Sequence, residues 1–190
     1  MGAFEHVISL LSFVYALAIA HLLTTAARLI GARDRVRFSW LHGYWMLNAL
    51  IVLVADWISF WDVRALPSWS VVSILVVLVQ AFVDYMQAAL VCPEIPQEGA
   101  IDLVEFHQTR SRLYIGAFLA TGIWALADNL YFGGNYDVAE FLSQNVAVVP
   151  LIVLTLSAVL FRARWVQIAV PFGLLATWGY YFFELQQALR

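Results

Sequence analysis

The segment "PSWSVVSILVVLVQAFVDYMQAALV", residues 67–91, decides the fold. A helix needs about 20 apolar residues to cross roughly 30 Å of hydrocarbon, and this run is long enough with one formal charge, Asp84. Its polar residues follow a pattern. Gln80, Asp84 and Gln87 recur at i, i+4 and i+7 with Ser73 above them, so they share one helical face. An acid flanked by two amides is costly against lipid. The face is therefore expected to turn inward, toward other helices.

Working outward, the whole chain has the same character. Of 190 residues 63% are hydrophobic and 12% charged, against roughly 45–50% and about 25% in soluble domains. A soluble chain of this size cannot hide so much apolar surface in one core, so the expected solvent is the lipid bilayer. Apolar windows fall near 5–29, 39–61, 67–91, 111–132, 144–162 and 165–187. They predict an all-α polytopic membrane protein, six transmembrane helices in one compact bundle, because membrane spans must satisfy their own backbone groups. Barrel strands would alternate polar and apolar residues instead. The first window reads as a span and not as a cleaved signal peptide. Its leading "MGAFEH" has no positive charge, and apolar sequence continues past His21 to Ile30.

All 10 basic residues are Arg. Lacking Lys, the chain cannot form a Lys Schiff base with retinal or pyridoxal phosphate. A net charge of −3 argues against nucleic acid, which needs a concentrated basic face. The single Cys92 excludes an intrachain disulfide and any multi-Cys metal or iron–sulfur centre. No CxxCH, HExxH, P-loop or strand–helix GxGxxG motif is present. Without a nucleophile or metal set, the reading leans away from an enzyme, and no catalytic residue is assigned.

Arginine placement sets the expected orientation. Arg28, Arg33, Arg35 and Arg37 mark the first connection, Arg110 and Arg112 the third, and Arg162 and Arg164 the fifth. Only Arg64 and Arg190 fall on the other side. The positive-inside bias predicts N-out/C-out topology, with the connection 92–110 in the cytoplasm and a bacterial inner membrane as the location. Trp40, Tyr44, Trp45 and Trp165 would mark the inner interface, and Trp57, Trp61 and Trp69 the outer one. Within 92–110, Asp102 and Glu105 have capping-box spacing, predicting a cytoplasmic helical extension that carries Glu105 and His107. Pro150 and Pro171 should kink their spans or sit in a first turn. Small residues Ala16, Ala20 and Thr24, and Gly116 with Ala120, would permit close helix approach.

Internal symmetry is a further expectation. "LVADWISF" (53–60) resembles "ALADNLYF" (125–132), and "VISLLSFVYAL" (7–17) resembles "VVSILVVLVQA" (71–81). The pairs suggest repeated hairpins, and Glu184 in the last span echoes Asp56 and Asp128.

Two polar groups result. Asp56, Asp128 and Glu184 lie near the outer ends of their spans, where a shared vestibule would hold a cation or protonatable solute. Gln80, Asp84 and Gln87 lie deeper, with His21 on the first span; Asp84 with His21 or Arg28 would make an ion pair or a relay. His21 and His42 at similar depth are also the residues a haem would use, the one cofactor reading the sequence permits. Two functions stand side by side: proton, ion or small-solute binding and permeation through a polar interior, or an accessory or scaffold subunit of a larger membrane complex. The expected partners are lipid and either a homo-oligomer or such a complex.

Overall fold

The computed structural model describes residues 2–65, 68–96, 98–133 and 137–188. Arg190 lies outside them. Each apolar window becomes helix: α1 (Ala3–Gly31), α2 (Trp40–Ser59), α3 (Val71–Val91), α4 (Leu103–Gly133), α5 (Val138–Gln144), α6 (Val148–Leu160) and α7 (Arg164–Ala188). The inward faces keep a spacing of three and four. On α1 the buried positions are Val7, Leu11, Tyr15, Ala18, Leu22 and Thr25, and on α3 they include Ser73, Val77, Gln80, Asp84, Gln87 and Val91. That is the seam left when helices pack side by side at shallow angles.

Five helices, α1 to α4 and α7, are long and apolar enough to cross a membrane. The fifth expected span, 144–162, is not one straight helix. Its helical part is α6, which follows α5 with a bend of 75° at a break that falls at the start of the window. With 13 residues, α6 is only about 20 Å long at 1.5 Å per residue, short of a bilayer core. The protein thus has five such helices, or six if the bent pair counts as one span. Side chains hold the break against α4. Asn129 Nδ2 on α4 donates to Asn145 Oδ1 at 2.8 Å, and Asn145 Nδ2 donates back to the Phe141 carbonyl at 2.9 Å. The side chain thus ties the break to α4 and adds a second hydrogen bond to a carbonyl that already accepts the Asn145 backbone amide. Pro150 lies in the first turn of α6, where its missing N–H costs nothing. Pro171 lies inside α7, and its carbonyl accepts from Asn48 Nδ2 at 3.2 Å, tying α7 to α2.

Among these helices α3 packs against α1, α2 and α4, while α4 packs on α6 and α2, and α7 fits against α6 and α2. The close approach on α4 is at Gly122 rather than Gly116 or Ala120. A Cβ on Gly122 would sit 2.9 Å from Ile152 Cγ1, whereas one on Gly116 would meet nothing within 4 Å. Ala120 is exposed, as are Ala16, Ala20 and Thr24, so neither small-residue stripe is used inside the bundle.

One departure from all-helix occurs at the Arg-rich end. Two-residue strands β1 (Val36–Arg37) and β2 (Ile101–Asp102) pair in parallel. Arg37 Nη1 donates to Asp102 Oδ2 at 3.0 Å, and Arg35 Nη1 donates to the Gly99 carbonyl at 3.1 Å. Gly99 has φ of 96°, a conformation that L side chains resist. Asp102 Oδ1 accepts the Val104 and Glu105 amides, so it caps α4 as its spacing suggests. The Glu105 amide and Arg37 together hold the Asp102 carboxyl below the usual carboxylate range.

A depressed folded value means that this strap is intact at neutral pH and is lost as pH falls through that lowered value. Hydrogen exchange, corrected for intrinsic rates, should show residues 101–106 losing protection as pH falls below the ordinary aspartate range. Asp102→Ala should show the same loss at pH 7. Equal protection of the wild type at both pH values would mean that the carboxylate does not hold the strap.

Candidate functional site

The polar face of α3 turns inward, as its cost against lipid requires. Asp84 is 0% exposed and Gln80 3%. Tyr15 of α1, itself buried, donates its hydroxyl proton to Asp84 Oδ2 at 2.6 Å. Gln80 Nε2 donates to Asp84 Oδ1 at 2.9 Å and to Asp56 Oδ2 of α2 at 3.2 Å. One neutral amide nitrogen therefore bridges two carboxyl groups.

Helix direction explains the meeting. Side chains lean toward the N-terminus of their own helix. Asp56, near the C-terminal end of α2, leans back along α2. Gln80 leans toward the start of the antiparallel α3, so the two converge from different depths. The expected separation into an outer and an inner carboxyl group thus fails for Asp56, which joins Asp84. Asp128 of α4 lies near the same pair, and its buried Oδ1 has no hydrogen-bond partner among the described residues.

The seam continues in both directions. Toward the N-terminal end of α3, Ser70 and Ser73 share a hydrogen bond at 2.8 Å, and Ser73 reaches the Tyr131 hydroxyl at 3.3 Å. Toward the Arg-rich end, Thr121 Oγ1 donates to Gln87 Oε1 at 3.3 Å. Beyond that, rings close the interior. Trp45 lies edge-on to Phe118 with centroids 5.1 Å apart, and to Tyr114 at 5.8 Å. Cavities of about 400 and 600 Å³ occur at the Arg-rich end, the first lined by residues such as Ile95 and Phe106, the second by Arg28 and Arg35. Neither is lined by Asp56, Asp84 or Asp128.

Other expected site residues are elsewhere. His21 is exposed, and its carbonyl accepts from Thr25 Oγ1 at 3.0 Å. Asp84 is paired with Tyr15 and Gln80, not with His21 or Arg28. Glu184 is exposed on α7, outside the carboxyl group it was grouped with. His42 is fully buried against Phe106 and Tyr114 of α4, whereas His21 is exposed on α1, so the haem pair does not converge on one site. No group of three or more His, Cys, Asp or Glu among the described residues is arranged to hold a metal ion.

Tyr15 is the member that sequence reasoning missed. Its signal was present: it falls on the three-and-four spacing of Leu11, Ala18 and Leu22, with a hydroxyl on that otherwise apolar face. No protein-family model, curated protein or solved structure matches the chain.

Proposed function

We propose that this is a multi-pass protein of a bacterial inner membrane, with its Arg-rich end in the cytoplasm, that binds a proton at the Asp84–Asp56 pair and passes it along the α3–α4 seam. The observation that carries this reading is the single Gln80 amide shared by two carboxyl groups, with Tyr15 on the far side of Asp84. Among the described residues, the groups that donate to them, Tyr15 and Gln80, are neutral. Two unit negative charges 4 Å apart repel by about 4 kcal/mol at an effective dielectric of 20. A proton held between them removes that repulsion without a counter-ion.

The same bonds favour a second reading. They join α1, α2 and α3, so they would also stitch together an accessory subunit of a larger membrane complex. Purified protein in liposomes loaded with a pH-sensitive dye separates the two. Acidifying the outside should change internal pH faster than in protein-free vesicles under a potassium–valinomycin clamp. Rates equal to empty vesicles would leave the scaffold reading standing.

A further inference from the structure

At the Arg-rich end lies a buried imidazole that the carboxyl pair does not use. His42, in the first turn of α2, is 0% exposed, and among the described residues neither ring nitrogen has a hydrogen-bond partner. The Val91 carbonyl lies beside the ring without hydrogen-bonding geometry. Phe106 packs edge-on at 5.0 Å and Tyr114 at 5.8 Å. The Tyr114 hydroxyl is hydrogen-bonded to His107 Nδ1. Trp45, which touches Tyr114, also buries its indole N–H without a partner.

Unpaired buried donors and acceptors cost stability, and an apolar ring of similar shape would not. Packing therefore does not explain the imidazole. Position offers an explanation. Tyr114, Phe118 and Thr121 follow one another on the buried face of α4, and Thr121 reaches Gln87 on the face that carries Asp84. His42 thus lies on the same seam, beyond the Trp45–Phe118 contact. Histidine is also the side chain whose charge changes near neutral pH.

We propose that His42, with His107 beside it, is a second proton-exchange site, serving the Arg-rich face and separated from the carboxyl pair by the Trp45–Phe118 ring contact. This rests on reading the carboxyl pair as a proton site. The proton adds to a ring-nitrogen lone pair of neutral His42 and leaves by the same route, with no other bond changed. From α4 the titratable groups facing His42 are His107 and Tyr114; α3 presents the neutral Val91 carbonyl.

The test is ¹⁵N NMR of histidine-labelled protein in lipid nanodiscs, with His42 assigned by the signal missing in His42→Phe. The chain has 4 histidines. If His42→Phe does not assemble, His6→Gln/His21→Gln leaves only the His42–His107 pair to observe. The His42 nitrogens are expected to move from the neutral to the imidazolium pattern as pH falls from about 8 to about 3. In liposomes His42→Phe should slow proton movement about tenfold or more while melting no lower than wild type. A His42 signal that stays neutral across that range overturns the proposal, whether or not wild-type liposomes move protons. So does a His42→Phe protein that moves protons at the wild-type rate, whatever its melting temperature. Titration of His42 in a protein that moves no protons would retain this site and reject the seam as a conduit.

Discussion

Liposomes carrying Asp84→Asn are expected to move protons no faster than empty vesicles, a loss of two orders of magnitude or more set by the background leak. Asparagine keeps the size of aspartate and can still accept from the Tyr15 hydroxyl, so the bond between α1 and α3 survives. It has no carboxyl to gain or lose a proton. The Gln80 amide would then bridge a carboxylate and an amide oxygen, and Asp56 would no longer have a charged neighbour across that nitrogen. Asp56→Asn should produce a smaller loss, since Asp84 retains its Tyr15 hydrogen bond. Glu184→Gln, altering an exposed carboxyl away from the cluster, should behave as wild type. Equal activity of Asp84→Asn and wild type, with melting unchanged, would rule out the carboxyl pair as the proton site.

The second large effect is on assembly. Gly122→Leu is expected to destabilise the fold by about 3 kcal/mol, the upper part of the range for overpacking a filled interior. A Cβ alone at this position meets Ile152 Cγ1 at 2.9 Å and two Leu151 atoms at 3.4 Å, so the rest of a leucine has no place without separating α4 from α6. The melting temperature in detergent should fall by about 10 °C for a chain of this size. Gly116→Leu is the matched control, since its Cβ meets nothing within 4 Å. It should melt within about 2 °C of wild type. A Gly116→Leu protein that is the less stable of the two would contradict the α4–α6 contact.

The elements were legible because solvent dictates them. A run such as 67–91 has too few charges to face water and must form helix in lipid, so its sequence alone forecasts α3. The inward turn of Gln80, Asp84 and Gln87 was equally readable, since spacing fixes a face and lipid makes that face expensive. The cap at Asp102 and the first-turn position of Pro150 follow from local backbone chemistry in the same way. The bend between α5 and α6 was not readable. Gln144 and Asn145 are polar at the break itself, but what they meet, the Asn129 amide of α4, is set by packing.

What the sequence by itself determined was the apolar helices and which face of α3 is polar; both are properties of one segment in one solvent. Only tertiary structure decided what that face meets. Asp56 was assigned by depth along α2, but the lean of side chains on antiparallel neighbours carries it to Gln80 and Asp84. His21 and Glu184 have the right chemistry yet lie on faces that packing leaves outside, while Tyr15 lies on the face that packing closes. Spacing along a helix says which residues point together. Which helix they point at depends on contacts between segments far apart in the chain, and Tyr15 is joined to Asp84 across 69 positions.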